Sequence, residues 1–403
     1  MALWLAAAAL AANCRCNTEM TSPPPVGALE APLIRVLLTS SPVAEARIGT
    51  TGGYRLRGGG QVLAESSAPL RDAVVRREGS SWRVGPHVVQ ANQLQFLPAE
   101  GKLVTLEKVA YRGSLRLVPT EGGHFAVINH LDLESYLAGV LSKELYPTWE
   151  PETYRALAVA ARTFAMYHMI TDGARSEYDL GDNQASQVYG GFSAETPRSR
   201  DAVRQTRGVV LASGPEGDER IFQAQYSACC GGRVNGAYVI RNAHRIEPLA
   251  GEQVCADCAA CPRYRWEAVR VGKSEIYRAL VGRYGAAAAA LGGVRAIDIQ
   301  TTTPTGRAVW VDVSGPNGKK IRLRAEDIRL SLIFNGSAAA RKLYSMNCRM
   351  IDLGDAMEFR DGRGFGHGVG ICQWGAQGKA ARGWTAEQIL AFYYPGAKLF
   401  RAY

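Results

Sequence analysis

Three groups of residues have types and spacing that could do chemistry. The first centres on Glu144. In LDLESYLAGVLSKELYPTW, residues 131–149, Leu133, Leu137, Val140 and Leu141 recur at helical spacing, and Asp132 can cap the start. Four residues past Val140 the same stripe reaches Glu144. A carboxyl group turned toward an apolar interior is harder to ionise, which suits a general acid at neutral pH. The competing expectation is that the helix frays before Glu144 and leaves it solvated, because Pro147 follows closely.

The second group is GRGFGHGVGICQWGAQGKAARG, residues 362–383, where glycines at 362, 364, 366, 368 and 370 alternate with other residues. Such a ribbon is poor strand material and implies close approach of another backbone or of a flat ligand. His367 lies inside it, with glycine neighbours that leave it accessible. Cys372, five residues on, allows a Cys–His nucleophile pair, but no orienting third group is evident. Ser227 and Gln373 join His367 as residues that could orient a substrate.

The third group is the cysteines. Of nine, Cys14 and Cys16 belong to the leader, and Cys229, Cys230, Cys255, Cys258, Cys261, Cys348 and Cys372 remain. CxxCxxC at 255–261 with the vicinal pair upstream has enough thiolates for tetrahedral zinc, for example on Cys229, Cys255, Cys258 and Cys261. In an exported chain the same residues pair as disulfides, and disulfides rather than a metal are expected here, with one thiol left over.

Elements must position these groups. Residues 33–129 read as short β-branched or alternating runs broken by glycine turns, which suggests a small barrel-like β-domain. A second helix opens at Pro151, and its alanines at 156, 158, 160, 161 and 165 cover nearly every face, so it should be buried all round. Arg162, set among them, needs either a structural carboxylate or an anionic ligand. A strand-and-loop region comes next, with mixed α/β sequence from about 266 to 332. Thr385 and Gln388 form a capping box for a last helix. The expected class is α+β: the β-rich domain, then an α/β core over 130–403 carrying the Ala-rich buried helix and a possible inserted subdomain at 255–330.

Composition bounds the function. With 403 residues, 47% hydrophobic and 21% charged, the chain suits two or three globular modules at roughly 150 residues each. Beyond the N-terminus there is no apolar run of about 18 residues, which excludes a polytopic membrane protein. MALWLAAAALAANC reads as a signal-peptide core ending at a lipoprotein-like Cys14, and residues 21–32 as a proline-rich tether. The net charge of +10 fits either solubility or an anionic partner. HExxH and GxSxG are missing, and nucleic-acid binding would rest on charge alone.

Four segments in order, LDLESYLAGVLSKELYPTW with ALAVAARTFAMYH, SQVYGG, QAQYSACCGGR, and GRGFGHGVGICQWGAQGKAARG with ILAFYYPG, resemble the stage II sporulation protein D and amidase enhancer family across residues 131–396. The resemblance implies an exported protein of the periplasm or cell envelope. One branch is similar to lytic transglycosylases that cleave peptide-free MurNAc–GlcNAc strands, with the glutamate matching Glu144 as the acid. The other stimulates a separate cell-wall amidase. Arg162, Tyr189, Ser227, His367 and Gln373 are the residues expected to meet the glycan. Some family members hold zinc through a histidine and two cysteines near 178–189. Gly181 and Ser186 stand in those cysteines' places here, and His168 is expected to be a packed or surface histidine. No cofactor and no nucleic acid are expected; the expected partners are glycan strands, or a cell-wall amidase on the second branch's reading, and the membrane only through an N-terminal anchor.

Overall fold

The computed structural model describes residues 31–183, 186–240 and 246–403. The leader and nearly all of the tether lie outside them. The fold is mixed α+β, with its strands concentrated toward the N-terminus. Among the described residues, no helix is long and apolar enough to cross a membrane.

The chain forms two compact units. One contains residues 31–212, 221–224 and 398–403; the other contains 213–220 and 225–397. The β-rich segment is not closed on itself, because its larger sheet also takes in the later strand Leu180–Gly181.

In the first unit a seven-stranded sheet runs in the order Leu180–Gly181, Leu33–Leu37, Phe125–Asp132, Ser114–Pro119, Leu94–Pro98, Tyr54–Gly58, Gln61–Ser66. Leu33–Leu37 pairs antiparallel with Phe125–Asp132 and parallel with Leu180–Gly181, which draws the later segment into the sheet. A six-stranded sheet orders Val109–Tyr111, Val104–Leu106, Glu45–Thr50, Ala73–Glu78, Ser81–Val84, His87–Gln90. Period-2 alternation turns Ile34, Val36, Leu115 and Leu117 inward from one sheet and Ile48, Val75 and Val84 from the other. Each such side chain contributes about 1.5–3 kcal/mol on burial. Trp82 and Phe125 join the sheets edge to face at 5.2 Å, and the indole N–H of Trp82 donates to Ala91 O.

Two helices succeed these sheets in the chain. Helix α1, Leu133–Glu144, starts at Asp132, whose carboxylate accepts from Ser135 N at 2.9 Å. Helix α2, Pro151–Thr171, has proline in its first turn, and Ala156, Ala158, Ala160, Ala161 and Ala165 are all buried. Helix α3, Pro197–Gln205, opens with a capping box at Thr196. Strand Val209–Ser213 pairs antiparallel with Lys398–Arg401.

The second unit has its own core, in which Val271, Ile276, Leu280, Val311, Val313, Ile328 and Leu332 meet Met346, Met357 and Phe359. A three-stranded antiparallel meander, Ala296–Thr302, Ala308–Ser314 and Lys320–Arg324, lies with helices α4, Lys273–Tyr284, and α5, Ala325–Asn335. This core extends past residue 330, the expected end of the inserted subdomain. Helices α6, Gln373–Ala380, and α7, Ala386–Tyr393, close the unit. Thr385 and Gln388 exchange the capping-box bonds that open α7.

Candidate active site

Glu144 is the last residue of α1. The next residue, Leu145, is extended and its N–H returns to Leu141 O, so the helix stops here rather than fraying earlier. Leu133, Leu137, Val140 and Leu141 are fully buried, whereas Glu144 is half-buried. Its position at the carbonyl end of the helix dipole opposes an anion. Its carboxylate accepts the N–H of Val188 at 3.3 Å.

Val188 belongs to the Ser186–Gly191 stretch, which is tied to both α1 and α2. Tyr136 Oη donates to Gln187 Oε1 at 3.1 Å, Gln187 Nε2 donates to Ala161 O, and Gly190 N donates to Gly139 O. The approach is close enough that a Cβ on Gly139 would sit 2.7 Å from the Tyr189 ring. A second carboxylate grips the same stretch: Asp182 accepts from Tyr189 N at 2.7 Å, and burial raises its pKa against that bond. Asp182 was not apparent from spacing; it ends YDLGD, residues 178–182, just before SQVYGG. Beside this region a cleft of about 600 Å³ lies between the α1–α2 connection and α3, lined by Pro147, Pro151, Arg155, Pro197, Arg198 and Asp201, with Glu144 outside its wall.

Two of the residues expected to meet the glycan lie in this unit, and both are buried. Arg162 is fully buried and forks onto Glu134, Nε to Oε1 at 2.9 Å and Nη2 to Oε2 at 2.7 Å. It also donates to Val209 O at 3.0 Å. Glu134 additionally receives Gly208 N and the Tyr403 hydroxyl. Of the two alternatives open for Arg162, the structure selects the carboxylate. Tyr189 is 3% exposed, stacks near Tyr111 and Tyr136, and spends its hydroxyl on Asn129 Oδ1 at 3.1 Å. Its ring supports the loop from behind. His168 bonds Asp172 and Gln223 and packs on Phe164, and Ser186 Oγ accepts from Gly181 N at 3.4 Å.

Ser227, His367 and Gln373 lie in the second unit. The glycine ribbon there is a backbone contact. A Cβ on Gly364 would fall 2.6 Å from Cys229 O, and one on Gly370 1.8 Å from Gln225 O, both with positive φ. Ser227 is buried and its hydroxyl accepts from Gly368 N at 3.2 Å, and Gln373 is 5% exposed at the start of α6, so both hold the ribbon region rather than face solvent. His367 is half-buried, and its Nδ1 accepts from Val369 N at 3.0 Å. Desolvation, with Arg329 and Arg307 nearby, lowers its pKa to about 4, against the opposing pull of Glu326. It is a neutral imidazole at pH 7. Arg307, which the sequence did not single out, is fully buried there and donates to Gly366 O at 3.3 Å.

The cysteines depart most from expectation. All seven described cysteines are buried free thiols, not disulfides. The sulfurs of Cys230, Cys255, Cys258 and Cys372 lie within 4.8 Å of one another, so the set that converges differs from the spacing-based one at two positions. Cys229 sits in a backbone bridge to Phe365, and its sulfur approaches Cys258 O at 3.9 Å. Cys261 closes the short 3₁₀ turn Ala256–Ala260, and its sulfur accepts from Arg263 N. With Cys372 held inside the cluster, a Cys372–His367 nucleophile pair has no support.

A family model described as stage II sporulation protein matches residues 121–212, the stretch holding α1, α2, the Glu144 carboxylate and the loop that donates to it. A stage II sporulation protein D of Bacillus subtilis is 29% identical over 289 residues, 68% of this chain and 76% of its own length.

Over these stretches the chain is similar to the stage II sporulation protein D and amidase enhancer family.

Other similar proteins include an uncharacterized protein of Brachyspira hyodysenteriae, 29% identical over 299 residues and 73% of each chain. An amidase enhancer of Bacillus subtilis is 24% identical over 298 residues, 65% of this chain and 40% of its own. The family match thus falls on the first unit's helices, while these longer alignments extend well beyond them.

Proposed function

We propose that the protein acts on the bacterial cell wall as a lytic transglycosylase of MurNAc–GlcNAc strands, with Glu144 as acid and then base. The observation that carries the reading is the Glu144 carboxylate at the end of α1, half-buried and held by the amide of Val188. Protonated Glu144 gives its proton to the glycosidic oxygen as the C1–O bond breaks and an oxocarbenium-like centre forms. The sugar's own 6-hydroxyl then bonds to C1 and returns its proton to the carboxylate, leaving a 1,6-anhydro end and a protonated Glu144. A single carboxylate suffices for this cycle. The same reading puts the protein outside the cytoplasmic membrane, in the periplasm or envelope, attached at most by an N-terminal anchor, with wall polyanions answering its +10 charge.

The test is mass spectrometry of products from peptide-free glycan strands. Native protein should release anhydro-ended products, and Glu144→Gln should still bind strands and release none. Anhydro product from the variant at close to the native rate would overturn the role.

A second reading, a non-cutting module that stimulates a wall amidase, is favoured by the similarity to an amidase enhancer. It wins if native protein releases nothing yet accelerates an added amidase.

A further inference from the structure

We propose that Cys230, Cys255, Cys258 and Cys372 bind one zinc ion as a closed tetrathiolate site, independently of any activity at Glu144. Zinc–sulfur bonds of about 2.3 Å at tetrahedral angles separate the sulfurs by about 3.8 Å. Cys230 Sγ and Cys258 Sγ are 3.7 Å apart, and all four sulfurs fall within 4.8 Å. A disulfide would require about 2.0 Å. Soft thiolates in tetrahedral array select zinc or iron over harder divalent ions.

Backbone and hydroxyl donors are aimed at the sulfurs. Cys372 is the N-cap of the eight-residue helix α6, and its sulfur accepts from Gly375 N and Cys230 N, each at 3.3 Å. Tyr393 Oη lies 3.1 Å from Cys255 Sγ, placed to donate to it. Gly375 has room for nothing larger: a Cβ would fall 2.4 Å from Cys255 Sγ and 2.2 Å from Tyr393 Oη. Four fully buried sulfurs drawn from three separate chain segments, with N–H and O–H donors aimed at them, are arranged as ligands rather than as filler. With four protein ligands and no open position, the ion would be structural. Uptake displaces the thiol protons into solvent, so affinity rises with pH.

The test uses the full chain purified without chelator. Elemental analysis should find one zinc per chain, and zinc-edge absorption should give four sulfurs at about 2.3 Å. Cys255→Ser and Cys372→Ser should weaken zinc retention against a competing chelator at least 100-fold, whereas Cys261→Ser and Cys348→Ser should leave it unchanged. If the ligand variants fail to fold, alkylation of the denatured native chain without reductant decides instead: all four cysteines should be modified once zinc is chelated. A disulfide among the four, iron in place of zinc, no metal after zinc(II) is added to reduced protein, or loss of zinc in Cys261→Ser would each overturn the assignment. Loss of glycan release with zinc intact would bear on Glu144 alone.

Discussion

Arg162 of α2 and Glu134 of α1 form a forked ion pair at 2.9 and 2.7 Å, with the guanidinium wholly removed from solvent. The pair locks together the helix that ends in Glu144 and the helix after it. Arg162→Met would leave Glu134 as a buried, partly satisfied charge, which costs about 3–5 kcal/mol. Combining it with Glu134→Leu should recover much of that loss. Urea unfolding of the single and double variants measures it, and a single variant within about 1 kcal/mol of native would show the pair to be dispensable.

The Val188 amide stabilises the ionised form of Glu144. Val188→Pro removes the donor without touching the carboxyl group. If Glu144 is the acid, its pKa in the variant should rise, and the basic limb of the glycan-release pH profile should move up with it. Release should fall about tenfold, against the 10²–10⁴-fold loss typical of removing a general acid, as in Glu144→Gln. An unmoved pH profile would separate the amide from the chemistry.

His367 is neutral in the fold down to about pH 4, whereas an unfolded histidine takes its proton near 6.5. Between those values the unfolded chain binds more protons than the native one. The contribution of this residue is therefore intact above pH 6.5 and is lost as pH falls toward 4, by on the order of 2–3 kcal/mol. Native and His367→Phe protein should differ in the slope of unfolding free energy across that window. NMR titration of the ring should show no protonation between pH 5.5 and 8.

Gly370 has φ +67°, and a Cβ there would meet Gln225 O at 1.8 Å. Gly383 has φ +85° and open space around it. Gly383→Ala should cost only the left-handed backbone penalty, about 1–2 kcal/mol, and Gly370→Ala distinctly more, because the clash with fixed backbone is added. Thermal unfolding of the two variants orders them; equal losses would mean the ribbon can shift aside.

Much of the local structure was legible because it is local. Asp132 and Thr385 announce helix starts through bonds to residues three further on, and the alanines of α2 betray burial by leaving no polar face. What failed required distant partners. No spacing links Arg162 to Glu134, since the two sit on different helices. Tyr189 looked like a lining residue because its loop does approach Glu144, yet it is the Val188 amide that faces the carboxylate while the ring turns inward. The cysteines show the same limit: CxxCxxC suggested Cys261, but the 3₁₀ turn and the distant strand end at Cys372 decide which sulfurs meet. The partner strand of Val209–Ala212 is encoded some 185 residues further on, a pairing that no local spacing announces.

That late strand has a consequence for biogenesis. At about 5–20 residues per second, a ribosome needs roughly ten to forty seconds between finishing Val209–Ser213 and delivering Lys398–Arg401. Through that interval one flank of Val209–Ser213 stays open to stray pairing, and Glu134 lacks its tyrosine hydroxyl. The nascent protein thus has a built-in waiting period, during which chaperones would meet an unfinished first unit.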